Sequence, residues 1–205
     1  MTNAFAPSFG GASTDLSLGT RQGLPDDLKL LVALYPRDIW TGHAKLGEMA
    51  KFWLARHTMF RELGSSLGGA GDRFRDEAID AREFVSFFAP RLQFFLQQLH
   101  AHHHVEDDHY FPIFRRAESK LARGFEILES DHDAIAVCIE NSVTAADTFL
   151  QALEGPPAGV KQAAMRYAQS GDILLRSLLR HLDDEEDLIV PLILDRGEDS
   201  LGLGH

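Results

Sequence analysis

The chain has 205 residues, a formal net charge of −11 and no apolar stretch of the roughly 18 residues that a membrane helix needs. A negative surface repels phosphate backbones, which argues against a nucleic-acid partner. One cysteine, Cys138, excludes an internal disulfide framework. Residues 1–20 lack the basic and apolar regions of a secretory signal, so we expect a cytoplasmic protein. Oligomeric state is left open by the sequence.

The N-terminal part of the chain predicts little regular structure. Residues 1–24 are rich in Gly, Ser and Thr without hydrophobic periodicity, which predicts a flexible arm. Residues 25–37 predict a short helix, because Pro25 and two acidic residues suit a first helical turn and Pro36 ends the segment.

The remainder of the chain, residues 38–195, carries four long amphipathic stretches with apolar residues three or four apart. We predict helices at 38–63, 73–109, 118–153 and 158–187, with Pro90 either kinking or starting the second. The Gly-rich segment 64–72 predicts a loop, Phe111-Pro112 an exit, and residues 196–205 a flexible tail. The pattern predicts an all-α protein, an antiparallel up-down four-helix bundle with an N-terminal arm and a short extra helix.

Two segments of the chain repeat without gaps at an offset of 79 residues. HHHVEDDHYFP starts at His102 and HLDDEEDLIVP starts at His181, and both have His first, Glu fifth and Pro eleventh. A lone histidine lies on the apolar face of the helix before each segment, His57 in one half and His132 in the other. The chain therefore resembles two helical hairpins, each supplying a histidine and then a His-x3-Glu motif.

The spacing of this motif suits metal binding. Residues four apart lie one above the other on a helix, so His102/Glu106 and His181/Glu185 each aim an imidazole and a carboxylate at one point. Such carboxylates in an apolar core need compensation, and divalent cations supply it. A single His-x3-Glu is more often a surface pair; the repetition favours a metal site.

Other polar side chains near the motifs are weaker candidates. At helical pitch His103 lies about 100° from the face of His102, which predicts a rim position from which it could still swing inward. His109, seven residues after His102, predicts a supporting contact. We expect the acidic residues near the motifs to form a solvated face, although one of them could orient a ligating imidazole. These residues are Asp107, Asp108, Asp184, Glu186 and Asp187.

Residues 38–195 resemble the hemerythrin-like family, also called the HHE cation-binding domain, in WLARHTMFREL, LHAHHHVEDDHYFP, LESDHDAI and LLRHLDDEEDLIVP. The resemblance implies a four-helix bundle with two iron ions joined by an oxo or hydroxo bridge, although donor type alone does not exclude Mn or Zn. It also implies six protein ligands, two of them the bridging carboxylates Glu106 and Glu185: His57, His102, Glu106, His132, His181 and Glu185.

The chain departs from the oxygen-carrying members of that family at one ligand. Those members have two histidines four apart on the third helix, but here Leu128 and Ala136 flank His132. Water, Glu129 or His103 would complete the shell. This departure argues against stoichiometric oxygen carriage and favours an open coordination position.

Three functions follow as hypotheses. The first is a module that binds or senses a small diatomic such as O2 or NO, senses redox state, or handles iron. The second is a di-iron redox enzyme of the peroxidase or oxidase type, for which His109 or Tyr110 could donate a proton. The third is a metal-free helical scaffold.

Overall fold

The structure is a computed structural model that describes residues 16–203, so the first fifteen residues of the expected arm lie outside it. Every regular element in this part of the chain is helical, which confirms the all-α prediction. No helix within it is both long and apolar enough to cross a bilayer. Residues 16–203 contain eight α-helices: α1 Leu30–Leu34, α2 Arg37–Trp40, α3 Glu48–Arg75, α4 Ala81–Val105, α5 Phe111–Ala117, α6 Ala122–Ala152, α7 Pro157–Arg196 and α8 Glu198–Leu201.

The four long helices α3, α4, α6 and α7 bury their apolar stripes in two clusters. One cluster contains Phe60, Leu99, Ile135 and Leu178, among others. The other contains Trp53, Phe111, Leu128 and Leu188. Helices α3, α6 and α7 therefore pass from one apolar cluster to the other, whereas α4 packs in the first cluster and α5 in the second. The four histidines predicted as ligands lie where the two clusters meet. Burial of these stripes supplies the main stabilisation of the fold.

The first half of the bundle differs from the prediction at its connection. The predicted loop 64–72 is wrong, because α3 continues through these glycines to Arg75. Gly64 is needed there for packing: a Cβ at this position would lie 2.6 Å from Leu175 Cδ1. Helix α4 starts at Ala81 rather than 73, where the Asp80 side chain accepts a hydrogen bond from the Glu83 amide at 2.8 Å. Pro90 lies inside α4.

The two helices that carry the His-x3-Glu motifs extend beyond the ends predicted near Pro112 and Pro191. After α4 the chain forms a π-helical turn, Glu106–Tyr110, and continues into α5 with Pro112 in its first turn, where a missing N–H costs nothing. The predicted exit at Phe111-Pro112 is therefore wrong. Helix α7 likewise continues beyond 187 to Arg196 with Pro191 inside it. The buried apolar run around Pro191 offsets the lost backbone hydrogen bond.

Both ends of the described chain pack on the bundle. Leu18, Arg21 and Leu24 are buried, in contrast to the flexible arm expected at 1–24. The expected tail 196–205 contains α8, where the Glu198 carboxylate accepts hydrogen bonds from two amides in the first turn of α3. The short helix expected at 25–37 is a 3-10 turn, Asp26–Leu28, followed by α1, and Pro36 precedes α2.

Candidate metal centre

Four histidines, one from each long helix, meet between the two apolar clusters. The Nε2 atoms of His57 and His102 lie 3.1 Å apart, and those of His132 and His181 also lie 3.1 Å apart. All four side chains are buried, His102 least, with 9% of its side chain exposed. The structure thus brings together the histidines that the repeat singled out.

Two carboxylates complete the cluster. Glu106 Oε1 lies 3.0 Å from His102 Nε2, and its Oε2 lies 3.5 Å from His132 Nε2. Glu185 shows the same arrangement, with Oε1 3.5 Å from His57 and Oε2 3.3 Å from His181. Each carboxylate therefore has one oxygen beside each pair of imidazoles. This arrangement allows a carboxylate to bridge two cations.

His103 joins the second pair of imidazoles. Its ring stacks on His132 with centroids 3.9 Å apart and planes 8° apart, and the side chain is buried. His103, His132 and His181 form one group of candidate ligand atoms, and His57, His102, Glu106 and Glu185 form another. Helix α4 contacts both α3 and α6. Successive residues about 100° apart can therefore face different neighbours, so the rim position predicted for His103 is wrong.

The other two supplementary candidates lie away from the cluster. His109 is exposed, and its ring packs on Tyr110 with centroids 5.0 Å apart. Glu129 is paired with Arg115. Of the three supplementary candidates His103, His109 and Glu129, the structure therefore brings only His103 into the cluster.

Carboxylates outside the cluster orient three of the imidazoles. The Nδ1 atom of His57 lies 3.0 Å from Glu186 Oε1, that of His132 lies 2.9 Å from Asp107 Oδ1, and that of His181 lies 3.3 Å from Asp131 Oδ2. When these imidazoles are neutral, donation of Nδ1–H to these oxygens leaves Nε2 unprotonated and facing the centre. The solvated face predicted for the acids is therefore wrong for Glu186, which is buried, and for Asp184.

Arginines hold these orienting carboxylates in turn. Arg61 and Arg37 each donate to Glu186 at 2.6 Å. Arg21, from the segment before α1, bonds both oxygens of Asp131 and also Asp184. None of these three arginines was predicted from the sequence. Arg61 lies four residues after His57, and this helical spacing places it on the same face as the histidine; no local pattern relates Arg21 to the centre.

Trp53 also contacts the cluster. Its indole N–H donates to Glu185 Oε1. Trp53 lies four residues before His57, so the helical spacing that aligns the histidine also aligns the indole. The indole thereby fixes the orientation of one of the two buried carboxylates.

The electrostatics of the cluster reflect buried charges in close contact. Burial, reinforced by repulsion from Glu185, raises the pKa of Glu106 well above its usual value. Burial also opposes ionisation of Glu185, but the neighbouring imidazoles of His57 and His181 outweigh it and lower its pKa. Burial lowers the pKa of His102 and His103. Burial disfavours the charged form of His181, but its close contacts with the carboxylates of Asp131 and Glu185 outweigh this effect and raise its pKa to about 9.

Unpartnered polar atoms test whether these residues fit metal ions. Within residues 16–203, both oxygens of Glu106, Oε2 of Glu185 and Nε2 of His103 are buried and have no well-formed hydrogen bond. Buried polar atoms are normally paired, and isolated buried carboxylates are costly. Cations among these atoms would satisfy them all. Imidazole and carboxylate together suit iron, manganese or zinc, so the residues fit a metal pair.

Comparison with known proteins agrees with this geometry. The sequence model of a family described as the hemerythrin HHE cation-binding domain matches residues 48–195. No significant match to this chain was found among curated proteins or among solved structures.

Proposed function

The chain belongs to the hemerythrin HHE cation-binding domain family, and from this we propose that its centre holds two iron ions bridged by Glu106 and Glu185. His57 and His102 would bind one ion, and His103, His132 and His181 the other. The observation that carries the proposal is the arrangement of the two buried carboxylates, each with one oxygen toward each group of imidazoles. Manganese and zinc are the alternative metals.

We propose an antiparallel up-down arrangement for the four long helices. Ring contacts between α3 and α4 support it for the first hairpin. Phe74 contacts Phe84, Phe60 contacts Phe95, and His57 contacts His102, so residue numbers fall along one helix as they rise along the other. The pairing of His132 on α6 with His181 on α7 is the corresponding contact of the second hairpin.

We propose that the centre binds or senses a small diatomic such as O2 or NO, or reports redox state. A reduced iron pair supplies the electrons for such binding. The group of His57 and His102 offers two imidazoles, whereas the group of His103 offers three. The ion held by the smaller group therefore keeps a position for an external ligand. His103 takes the role of the imidazole that the third helix lacks.

Metal content and absorption test this function. Protein expressed with ample iron should contain two irons per chain and a near-ultraviolet band that bleaches on reduction. His181→Ala should lose both properties, whereas His100→Ala, on the exposed side of α4, should keep them. Wild-type protein without iron under these conditions would overturn the proposal. Stoichiometric manganese or zinc in place of iron would reassign the metal.

A di-iron redox enzyme is the second candidate. It is favoured by a pocket beside His102 and Glu106 on the side of the centre with fewer imidazoles. Hydrogen peroxide consumption by the iron-loaded protein tests this candidate. We expect the activity to fall in His132→Ala and to persist in His100→Ala; equal turnover in both variants would separate the activity from the centre.

A further inference from the structure

A pocket of about 320 Å³ opens between α3 and α4, with His102 and Glu106 in its wall. We infer that this pocket binds an uncharged aromatic molecule of one or two rings, of the phenol type. Binding to the pocket depends on the fold alone. The approach of that molecule to a metal ion rests on the proposed function.

The size of the pocket exceeds what a diatomic ligand needs. An apolar cavity of about 150 Å³ is sufficient for benzene. The pocket beside His102 has roughly twice this volume and lies at the lower end of the range of about 300–1,000 Å³ found for organic ligands. Its dimensions therefore suit one or two fused rings.

The wall of the pocket is mainly apolar and aromatic. Phe52 and Val105, one on each helix, are 66% and 47% exposed, which leaves apolar surface in contact with water. Trp53 and Tyr110 lie deeper, with ring centroids 5.0 Å apart and planes at 63°. A planar ring can pack against such faces and edges, and it would cover the exposed apolar surface.

The charges around the pocket select an uncharged ligand. Arg56 is the cation in the wall, but its guanidinium donates to Gln98 Oε1 at 2.8 Å and lies 5.4 Å from the centroid of Phe60. A ligand anion would therefore compete with these contacts for the guanidinium. The net charge of −11 also disfavours anions. The Tyr110 hydroxyl, for which no hydrogen bond is found within residues 16–203, can bond a ligand hydroxyl.

The position of the pocket relates it to the centre. His102 belongs to the group with two imidazoles, on which the proposed external ligand position falls. The pocket thus opens on that side of the centre rather than on the side of His103, His132 and His181. A bound phenol would lie beside the ion that has the open position.

Calorimetric titration with 1-naphthol tests the inference on metal-free and iron-loaded protein. Ala101→Phe should fill the pocket and weaken binding about tenfold or more, whereas Ala134→Phe, an equivalent exposed change on α6, should not. Phe52→Ala should weaken binding by removing part of the wall. Phe94→Ala, on an exposed position of α4 outside the pocket, is its control.

The outcomes separate this inference from the proposed function. Naphthol binding without iron uptake would support the pocket and reject the di-iron centre; iron uptake without naphthol binding would do the reverse. Equal binding by Ala101→Phe and wild type, or tighter binding of 1-naphthoate than of 1-naphthol, would overturn the inference. So would a self-associating wild type whose dimer is lost in Ala101→Phe, because the pocket would then be an interface between copies.

Discussion

Arg21 donates to Asp131 across 110 residues of sequence, and Asp131 accepts in turn from His181 Nδ1 at 3.3 Å. Both side chains of the ion pair are almost fully buried, at 2% and 3% exposure. The segment before α1 is thereby linked to the centre through one carboxylate. Arg21 is a positioning residue for His181, and its removal should affect both stability and metal binding.

Arg21→Gln is expected to destabilise the protein by about 3–5 kcal/mol, because it leaves Asp131 buried without its arginine partner and Asp184 with Arg180 alone. Metal affinity should fall about 10–100-fold as the orientation of His181 is lost. Denaturant unfolding and a competitive metal titration measure the two effects. Arg123→Gln removes an exposed pair with Asp27 and should cost less than about 1 kcal/mol without changing metal affinity. Equal behaviour of the two variants would contradict the role of Arg21.

His103→Ala is expected to weaken binding of the second metal ion, because its Nε2 would otherwise contribute to the group of His132 and His181. Metal titration should then show two unequal sites, with about one ion lost at limiting metal. His104→Ala changes the next residue, which is exposed and paired with Asp108, and should leave both sites intact. If His103→Ala retained both ions at wild-type affinity, His103 would be a packing residue.

Glu106→Leu distinguishes the hypothesis of a metal site from that of a metal-free helical scaffold. The change removes a buried carboxylate whose oxygens have no well-formed hydrogen bond to any described residue, so the metal-free variant should be about 1–4 kcal/mol more stable than metal-free wild type. Metal should stabilise the wild type but not the variant. Thermal unfolding with and without metal measures both effects, and Glu126→Leu on the exposed face of α6 is the control. Absence of any metal-dependent stabilisation in the wild type would favour the scaffold.

Tyr167 should make the fold sensitive to alkali. Burial, together with the charge of Asp172, raises the pKa of this phenol above its usual value of 10. The folded chain therefore keeps Tyr167 neutral, and this stability is complete below about pH 10 and is lost as the pH rises above it. Between pH 9 and pH 12 the free energy of unfolding should decline less steeply in Tyr167→Phe than in wild type. The difference in slope should correspond to the release of about one proton on unfolding. An unchanged slope would show that another group controls the alkaline transition.

Helical periodicity in the sequence determined the fold class and the placement of the two His-x3-Glu motifs. The apolar stripes predicted an all-α fold, and spacing of four residues placed Glu106 and Glu185 on the faces of His102 and His181. These relations hold within one helix, where geometry follows from 100° per residue. For the same reason the repeat identified four histidines on the faces that meet in the structure.

The tertiary structure alone decided what depends on neighbouring helices. His103 enters the centre because α4 lies beside both α3 and α6, so two successive faces are buried. Helix α3 continues through its glycines with Leu67 and Ala70 buried in one apolar cluster, and α7 passes Pro191 among buried apolar residues. The contact of Arg21 with Asp131 joins segments that local pattern does not relate. Such contacts are long-range, and packing energy there outweighs the local preferences that sequence analysis can measure.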